Sequence, residues 1–319
     1  MILITGGAGF IGSNLINSLL SKNFTEIVSI DSNNFINQSY FLNKKFSRIL
    51  PAELNSFLKK NKEKIKTVVH LGAITSTTER NVKLIIENNL ELSIFLWNWC
   101  EKNKKRFIYA SSAATYGNGS NSFDDNESDN YLSKLVPLNL YGWSKHIFDR
   151  LILKKKKKPS QLVGLKFFNV YGPNEFHKNE MKSVILKIYE KVSNNLQVNL
   201  FKSHNVNFKD GEQLRDFIYV KDVISILEWF LSNPKINGLY NVGTGKPRNF
   251  NDIARSVFKN TNKTTSLKYI NTPLKIRKQY QYYTKANIKK LRDSGYKKSF
   301  FSLEEGIKDY IREYLRKLK

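Results

Sequence analysis

The stretch Met1-Ile-Leu-Ile-Thr5-Gly6-Gly7-Ala8-Gly9-Phe10-Ile11-Gly12-Ser13 decides the fold. Apolar residues lead into Thr5 and a glycine loop follows. Apolar residues then recur at helical spacing at Ile11, Leu15, Ile16, Leu19 and Leu20. This pattern predicts strand, tight turn and helix. Gly7, Gly9 and Gly12 satisfy G-x-G-x-x-G, and Gly6, Gly9 and Gly12 are spaced by three. Glycines so placed allow the turn, let a pyrophosphate approach the backbone, and let the helix pack closely on the strand. The free N–H groups at the helix start favour an anion. Alone, the motif is a common Gly-rich turn. Its context is a second apolar run, Ile27-Val28-Ser29-Ile30, which ends at Asp31, about twenty residues after the loop. A carboxylate there is placed to accept from adenosine ribose hydroxyls, so a dinucleotide site is expected.

Outward from this unit, short apolar runs alternate with helical patterns. Thr67 to Ala73, Phe107 to Ser112 and Leu162 to Phe168 read as strands. Pro51 to Lys62, Val82 to Lys102 and Asn139 to Lys157 read as helices, while Gly117 to Pro137 reads as loop. Beyond Asn169, a helix is expected over Glu180 to Asn194, strands over Val198 to Phe201, Asp216 to Val220 and Gly238 to Gly243, and a helix over Lys221 to Ser232. The alternation implies an α/β fold, a Rossmann doubly wound parallel sheet, with a smaller α/β substrate-binding lobe. The expected division gives residues 1–169, 216–243 and 281–299 to the dinucleotide-binding domain. Residues 170–215, 244–280 and 300–319 fall to the lobe. Small or polar strand ends gather at one sheet edge, where ligands bind in such folds.

A chain of 319 residues with 40% hydrophobic and 13% aromatic residues has enough apolar surface for a core. The single cysteine, Cys100, excludes an internal disulfide and a Cys-based zinc site, and its apolar neighbours predict a buried thiol. His70, His146, His177 and His204 lack metal-ligand spacing, so no metal is expected. No apolar run reaches membrane-spanning length. With no leader before the first strand, a cytoplasmic protein is expected. The net charge of +26 is spread along the chain, and Lys154 to Lys158 follow a helical pattern and precede Pro159. Lysines suit that end of a helix, so the charge predicts solvated surface and no nucleic-acid partner.

Tyr141-Gly142-Trp143-Ser144-Lys145 places a phenol and an ammonium at i and i+4, on one helix face. A phenol titrates near 10. A lysine ammonium and a nicotinamide cation beside it would lower that value, and the lysine could also hold the nicotinamide ribose. Ser112, at a strand end, can orient the substrate oxygen. With the dinucleotide loop, this set suits hydride transfer at an alcohol carbon.

These residues carry a resemblance. The T-G-G-A-G-F-I-G loop, the Tyr109 to Gly117 strand end and the Y-G-W-S-K helix resemble the extended short-chain dehydrogenase/reductase superfamily. Ser76-Thr77-Thr78-Glu79, Glu87-Asn88-Asn89, Phe168 to Pro173 followed by His177-Lys178, and Tyr280-Gln281 are most similar to its ADP-L-glycero-D-manno-heptose 6-epimerases. The likeness spans nearly the whole chain and implies an isomerase with an ADP-sugar substrate and a homo-oligomer, a pentamer. Such enzymes oxidise C6″ to a ketone and return the hydride to the opposite face. By resemblance, Tyr141 serves one face and Lys178 the other, Ser112 polarises the oxygen, and Lys145 tunes Tyr141. Gly6, Gly9, Phe10, Ile11, Gly12, Asp31, Ser32, Leu71, Gly72, Ala73, Ile74, Thr75, Asn88, Tyr141, Lys145, Val170 and Lys178 then match cofactor positions. Ser112, Asn169, Lys178, Glu180, Lys187, Phe201, Lys202, Ser203, His204, Arg215 and Tyr280 match substrate positions, with Arg215 gripping the diphosphate.

The chain also departs from that pattern. Lys187 stands where a histidine is usual, and the loops after Gly117 and before Arg215 are longer. The resemblance implies NADP. Asp31, however, would repel a 2′-phosphate and favour NAD, and Gln38 stands near a usual lysine position. Lys44, Lys45 and Arg48 are left to supply the charge. A UDP-hexose 4-epimerase is the alternative enzyme. A 4,6-dehydratase fits less well, because Ala113-Ala114 replace the Asp-Glu pair that its elimination requires. A catalytically silent dinucleotide- or RNA-binding protein is opposed by the complete Ser112, Tyr141, Lys145 and Lys178 set.

Overall fold

A computed structural model describes residues 1–32, 46–263, 266–277 and 280–318. Seven strands build one sheet: β1 (Ile2–Thr5), β2 (Ile27–Ile30), β3 (Ser47–Ile49), β4 (Thr67–His70), β5 (Arg106–Ser112), β6 (Gln161–Phe167) and, later in the chain, Gly238–Val242. The order across the sheet is Gly238–Val242, β6, β5, β4, β1, β2, β3, and every pairing is parallel. Residues of β1, β2, β4 and β6 are buried throughout. Burial on both faces explains why these strands read as continuous apolar runs rather than alternating ones.

One face packs on helix α1 (Phe10–Ser21) and on Val220–Ser232 through Leu15, Ile16, Leu19, Val223, Leu227 and Phe230. The other packs on Leu54–Lys60, on α2 (Leu92–Lys102) and on α3 (Leu140–Leu153) through Leu58, Leu96, Trp97, Phe148 and Ile152. The sheet is therefore doubly wound. Its order reverses between β1 and β4, and a ligand crevice is expected at the carboxyl ends there.

Three small sheets complete the chain. β7 (Asn169–Tyr171) pairs parallel with Phe217–Tyr219. β8 (Val198–Phe201) pairs parallel with Leu267–Ile270, and β9 (Leu214–Arg215) pairs antiparallel with Arg248–Asn249. Helices Val184–Ser193 and Phe250–Thr261 cover them, and Ile185, Ile188, Ile253 and Val257 join the same buried cluster as α1.

Several boundaries differ from the sequence reading. The helix expected from Glu180 starts at Val184, where the Ser183 hydroxyl accepts from Leu186 N–H, and residues Phe176–Met181 form a tighter turn before it. The helix expected from Val82 to Lys102 contains a wide π-type turn over Ile86–Glu91. β3 is a strand that the sequence pattern does not predict. Cys100 is buried as expected. Among the described residues, no helix is long and apolar enough to cross a membrane, and no His/Cys/Asp/Glu cluster could hold a metal ion.

Candidate active site

The glycine loop closes between β1 and α1. Gly6 has φ +68°, a conformation that L side chains rarely adopt. A Cβ added there would lie 2.7 Å from the Gly72 Cα, so the loops after β1 and β4 touch through bare backbone. Behind them, the Thr5 hydroxyl is 2.6 Å from His70 Nδ1 and accepts from Gly72 N–H at 3.2 Å. Asp31 follows β2, and its carboxylate accepts from Ala8 N–H at 3.0 Å and from the Ser29 hydroxyl. Burial pushes the Asp31 carboxyl up to about 6, while the bonds from Ser29 and the loop, and the charge of Arg48, pull it down. Ser32 is exposed beside it. Gln38, Lys44 and Lys45 lie outside the described residues. Arg48 is on β3, its guanidinium 4.7 Å from the Phe46 ring centroid.

Residues Leu71 to Thr75 leave β4 toward the π-type turn. Ile74 N–H donates to Asn89 Oδ1 at 2.8 Å, Asn89 Nδ2 donates back to Ile74 O at 2.9 Å, and it also reaches Ser144 Oγ at 3.1 Å. Asn89 is thus a site residue that the sequence reading passed over. Its neighbour Asn88 is half-buried and bonds back to Leu84 O at 2.9 Å. The doublet of amides was visible, but which one faces inward depends on the turn's irregular pitch. From the same network, Ser93 Oγ donates to Asn89 O and stands 2.8 Å from His70 Nε2. Burial, with Lys145 nearby, holds His70 down at about 3, hence neutral.

Ser112 ends β5 and α3 starts against it. The Asn139 side chain caps α3 by accepting from Gly142 N–H at 2.8 Å. A Cβ at Gly142 would meet Ala114 O at 2.8 Å, so the helix lies directly on the turn after Ser112. Tyr141 then forms a hydrogen bond with the Ser112 side chain. Burial pushes the Tyr141 phenol up, Ser112 lowers it, and Asp149 raises it. Burial also brings the Lys145 ammonium down to about 8, opposed by Asp149. In the protein alone, burial is the dominant influence on the Tyr141 phenol.

Lys178 lies in the Phe176–Met181 turn, its Nζ 5.1 Å from the ring centroid of Phe10 at the start of α1. Burial lowers the Lys178 ammonium, and Glu175 raises it. Asn169 and Val170 are on β7, where Asn169 Nδ2 donates to Asp216 O at 3.2 Å. A second group gathers around Arg215 on β9. Its guanidinium stands 5.3 Å from the Tyr280 ring centroid, and that ring meets Phe201 edge-on at 6.0 Å. Arg215 is buried, forms no ion pair among the described residues, and is brought down to about 10 by that burial. A buried guanidinium without a carboxylate suits an anionic ligand. Ser203 N–H donates to Asp210, and His204 Nε2 accepts from Thr272 N–H, which holds the longer loop to the segment that precedes Tyr280; Lys202 is exposed. Lys187 Nζ donates to Glu180 O at 2.6 Å, and the Glu180 side chain is exposed. The structure records no contact that ties Glu180 or Lys187 to Arg215.

The family profile described as NAD dependent epimerase/dehydratase matches residues 2–243. The chain belongs to that family. It is 43% identical to an ADP-L-glycero-D-manno-heptose-6-epimerase of Fusobacterium nucleatum, over 99% of this chain and 98% of the relative. It superposes on the crystal structure of the Helicobacter pylori ADP-L-glycero-D-manno-heptose-6-epimerase with a TM-score of 0.79 at 31% identity, over 98% of this chain and 95% of that one. A Thermus thermophilus UDP-glucose 4-epimerase in complex with NAD shares the fold, with a TM-score of 0.80 at 24% identity over 99% and 98% of the two chains. Members of this family are Rossmann-fold enzymes, and the full-length relatives at higher identity are epimerases of ADP-heptose.

Proposed function

We infer that this chain is an isomerase that interconverts ADP-D-glycero- and ADP-L-glycero-D-manno-heptose by transient oxidation at C6″. The full-length identity to ADP-heptose epimerases carries this reading, and the UDP-hexose alternative has only a shared fold at lower identity behind it. The site's chemistry supports it. Tyr141 on α3, bonded to Ser112, and Lys178, over Phe10 at the start of α1, are the two proposed proton-handling groups.

The crevice fits a dinucleotide. An added Cβ at Gly9 would have only Gly6 O near it, at 3.1 Å, so the backbone is open on the side a pyrophosphate would use. When bound, the nicotinamide supplies the hydride acceptor and donor. Ser112 orients the substrate oxygen. Tyr141 moves the hydroxyl proton on one face and Lys178 on the other, with Lys145 tuning Tyr141 and holding the ribose. Burial that lowers Lys178 favours the neutral amine such a base needs. Arg215 and Tyr280 hold the ADP diphosphate.

NADP is the proposed cofactor form, because Arg48 stands close enough to Asp31 to lower its carboxyl and can meet a 2′-phosphate with its fork. The same reading takes the homopentamer from the resemblance, and a cytoplasmic location and the two-part division of the chain from the sequence pattern.

The test is a substrate panel. Purified protein should carry a nicotinamide cofactor and equilibrate the two ADP-heptoses with no net redox change. Tyr141→Phe and Lys178→Met should each lose about 10²–10⁴-fold in kcat while keeping the fold. Wild-type protein that converts a UDP-hexose and leaves ADP-heptose untouched refutes the sugar assignment.

A further inference from the structure

A buried ionic group beneath α3 takes part in no step above. Asp149 lies four residues beyond Lys145 and eight beyond Tyr141, so the three lie toward one side of the helix. Asp149 and Lys166 side chains have no exposed surface, and their charged atoms are 2.7 Å apart. Asp149 Oδ1 accepts from the Tyr109 hydroxyl at 2.8 Å, and Oδ2 accepts from the Ser111 hydroxyl at 2.7 Å. Lys166 Nζ also donates to Thr115 Oγ1 at 2.8 Å and stands 5.0 Å from the Tyr116 ring centroid. All these partners sit on β5, on β6 or in the turn directly after Ser112.

Fold stability alone is a poor reason for such a pair. Apolar residues of similar volume often serve as well or better, because desolvating two ions offsets their attraction. Two consequences do follow from its position. The bonds tie α3 to β5 one residue from Ser112, which sets how Tyr141 meets that hydroxyl. Lys166 also balances the Asp149 carboxylate, whose charge opposes ionisation of Tyr141 and favours the ammonium of Lys145. Apart from Lys145, itself a member of the set, no other cation among the described residues supplies that balance. His70 from β4 is held neutral at about 3 by burial and Lys145. His146 of α3 is held at about 4 by burial and Lys166. Arg150 is paired with Asp129 at 3.1 Å.

We propose that Asp149 and Lys166 are positioning residues for the Ser112–Tyr141–Lys145 group: the pair fixes Ser112 against Tyr141 and keeps the charge beneath them balanced, so that Tyr141 exchanges its proton near neutral pH. This rests on Tyr141 as the proton carrier in the reading above.

The test uses the cofactor-loaded enzyme, with whichever nucleotide sugar the wild type turns over, and reads kcat, KM and the pH profile. Lys166→Met leaves the carboxylate unbalanced and should move the acid limb of kcat up by about one pH unit; Asp149→Asn leaves the ammonium unbalanced and should move it down by a similar amount. The double variant Asp149→Asn with Lys166→Met should return the limb to the wild-type position, with KM changed less than about threefold throughout. A merely structural pair would lower the melting temperature and leave all limbs together, and that result overturns the proposal. If Lys166→Met does not fold, the downward displacement in Asp149→Asn and its return to the wild-type position in the double variant still decide it. Tyr141→Phe is run in parallel. Retained activity there sinks the underlying reading, whereas an inactive Tyr141→Phe with coincident limbs sinks this inference alone.

Discussion

Gly12→Ala and Gly9→Ala separate packing from ligand binding within one loop. A Cβ at Gly12 would stand 2.1 Å from Gly6 O, 2.7 Å from Gly7 Cα and 2.9 Å from Gly6 C. All three are backbone atoms, and ordinary contact begins at 3.4 Å, so the shortfall to Gly6 O exceeds an ångström. It can be relieved only if α1 rolls off the sheet or the Gly6–Gly7 peptide shifts. Overpacking of this kind costs about 1–3 kcal/mol, and unyielding neighbours put it at the upper end. At about 2–4 °C per kcal/mol for larger domains, the melting temperature should fall by about 6–12 °C. At Gly9, φ is −75° and the added methyl meets only Gly6 O at 3.1 Å, so the cofactor-free protein should melt within about 2 °C of wild type. That methyl nevertheless fills the side open to a pyrophosphate. Both variants should therefore purify with nicotinamide reduced at least about tenfold per chain, since each loses backbone contacts to a charged ligand. Denaturing extraction with chromatography measures the cofactor, and calorimetry of the stripped proteins measures stability. A Gly9→Ala protein that keeps full cofactor content refutes the assigned pyrophosphate side. An unshifted melting temperature for Gly12→Ala refutes the packing argument.

Asp31→Asn should stabilise the cofactor-free protein at pH 7.5 but not near pH 4: burial raises the folded carboxyl to about 6 from 3.8, so its protonation-linked stability is present below about 4 and lost as pH rises through 6. After discounting for partial exposure the gain is about 1–2 kcal/mol, and thermal melts at the two pH values that fail to diverge count against it. Asn89→Ala removes both bonds to Ile74 and should cost about 1–3 kcal/mol. Amide exchange over residues 71–75 should then rise, and unchanged protection there would show that the clamp is not needed. Arg48→Ala should weaken NADP more than NAD by about tenfold in a binding titration, the value of one charge-assisted contact; equal losses for both would remove Arg48 from the 2′-phosphate.

The doubly wound sheet was legible because its signals are local. Ile2–Thr5, Thr67–His70 and Gln161–Phe167 are short buried runs, and the first two end in the polar Thr5 and His70. The Tyr141–Lys145 pair was legible because four residues are one helical turn. What escaped the sequence reading depends on partners far along the chain. β3 is only three residues long and half-exposed, so it lacks an apolar run. Lys166 looked like one more lysine among many, yet it is fully buried because Asp149, seventeen residues earlier, receives it. Asn89 could be told from Asn88 only by the path of the π-type turn. Burial of the Tyr141 phenol, which pushes it up in the protein alone, was likewise not legible from the spacing of Tyr141 and Lys145.

The same distinction explains how the two proposed acid–base groups, Tyr141 and Lys178, are held. Tyr141 is referenced to β5 through Ser112, a contact between elements that pack on one face of the sheet. Lys178 arrives from a turn some 160 residues after the glycine loop. Asn14 on α1 donates to Pro173 O at 2.9 Å, and Asn174 donates to the Ser13 hydroxyl at 3.1 Å. The turn that presents Lys178 is thus fastened to the helix that follows the glycine loop. The Glu175 carboxylate, fully buried, fastens its far side by accepting from Gly172 N–H and from both the N–H and the hydroxyl of Ser183. A displacement of α1 would carry Lys178 with it while leaving Tyr141 on β5. On the proposed mechanism, Gly12→Ala should therefore disturb the spacing of Lys178 from Tyr141 as well as cofactor content, and lower kcat even when cofactor is supplied in excess.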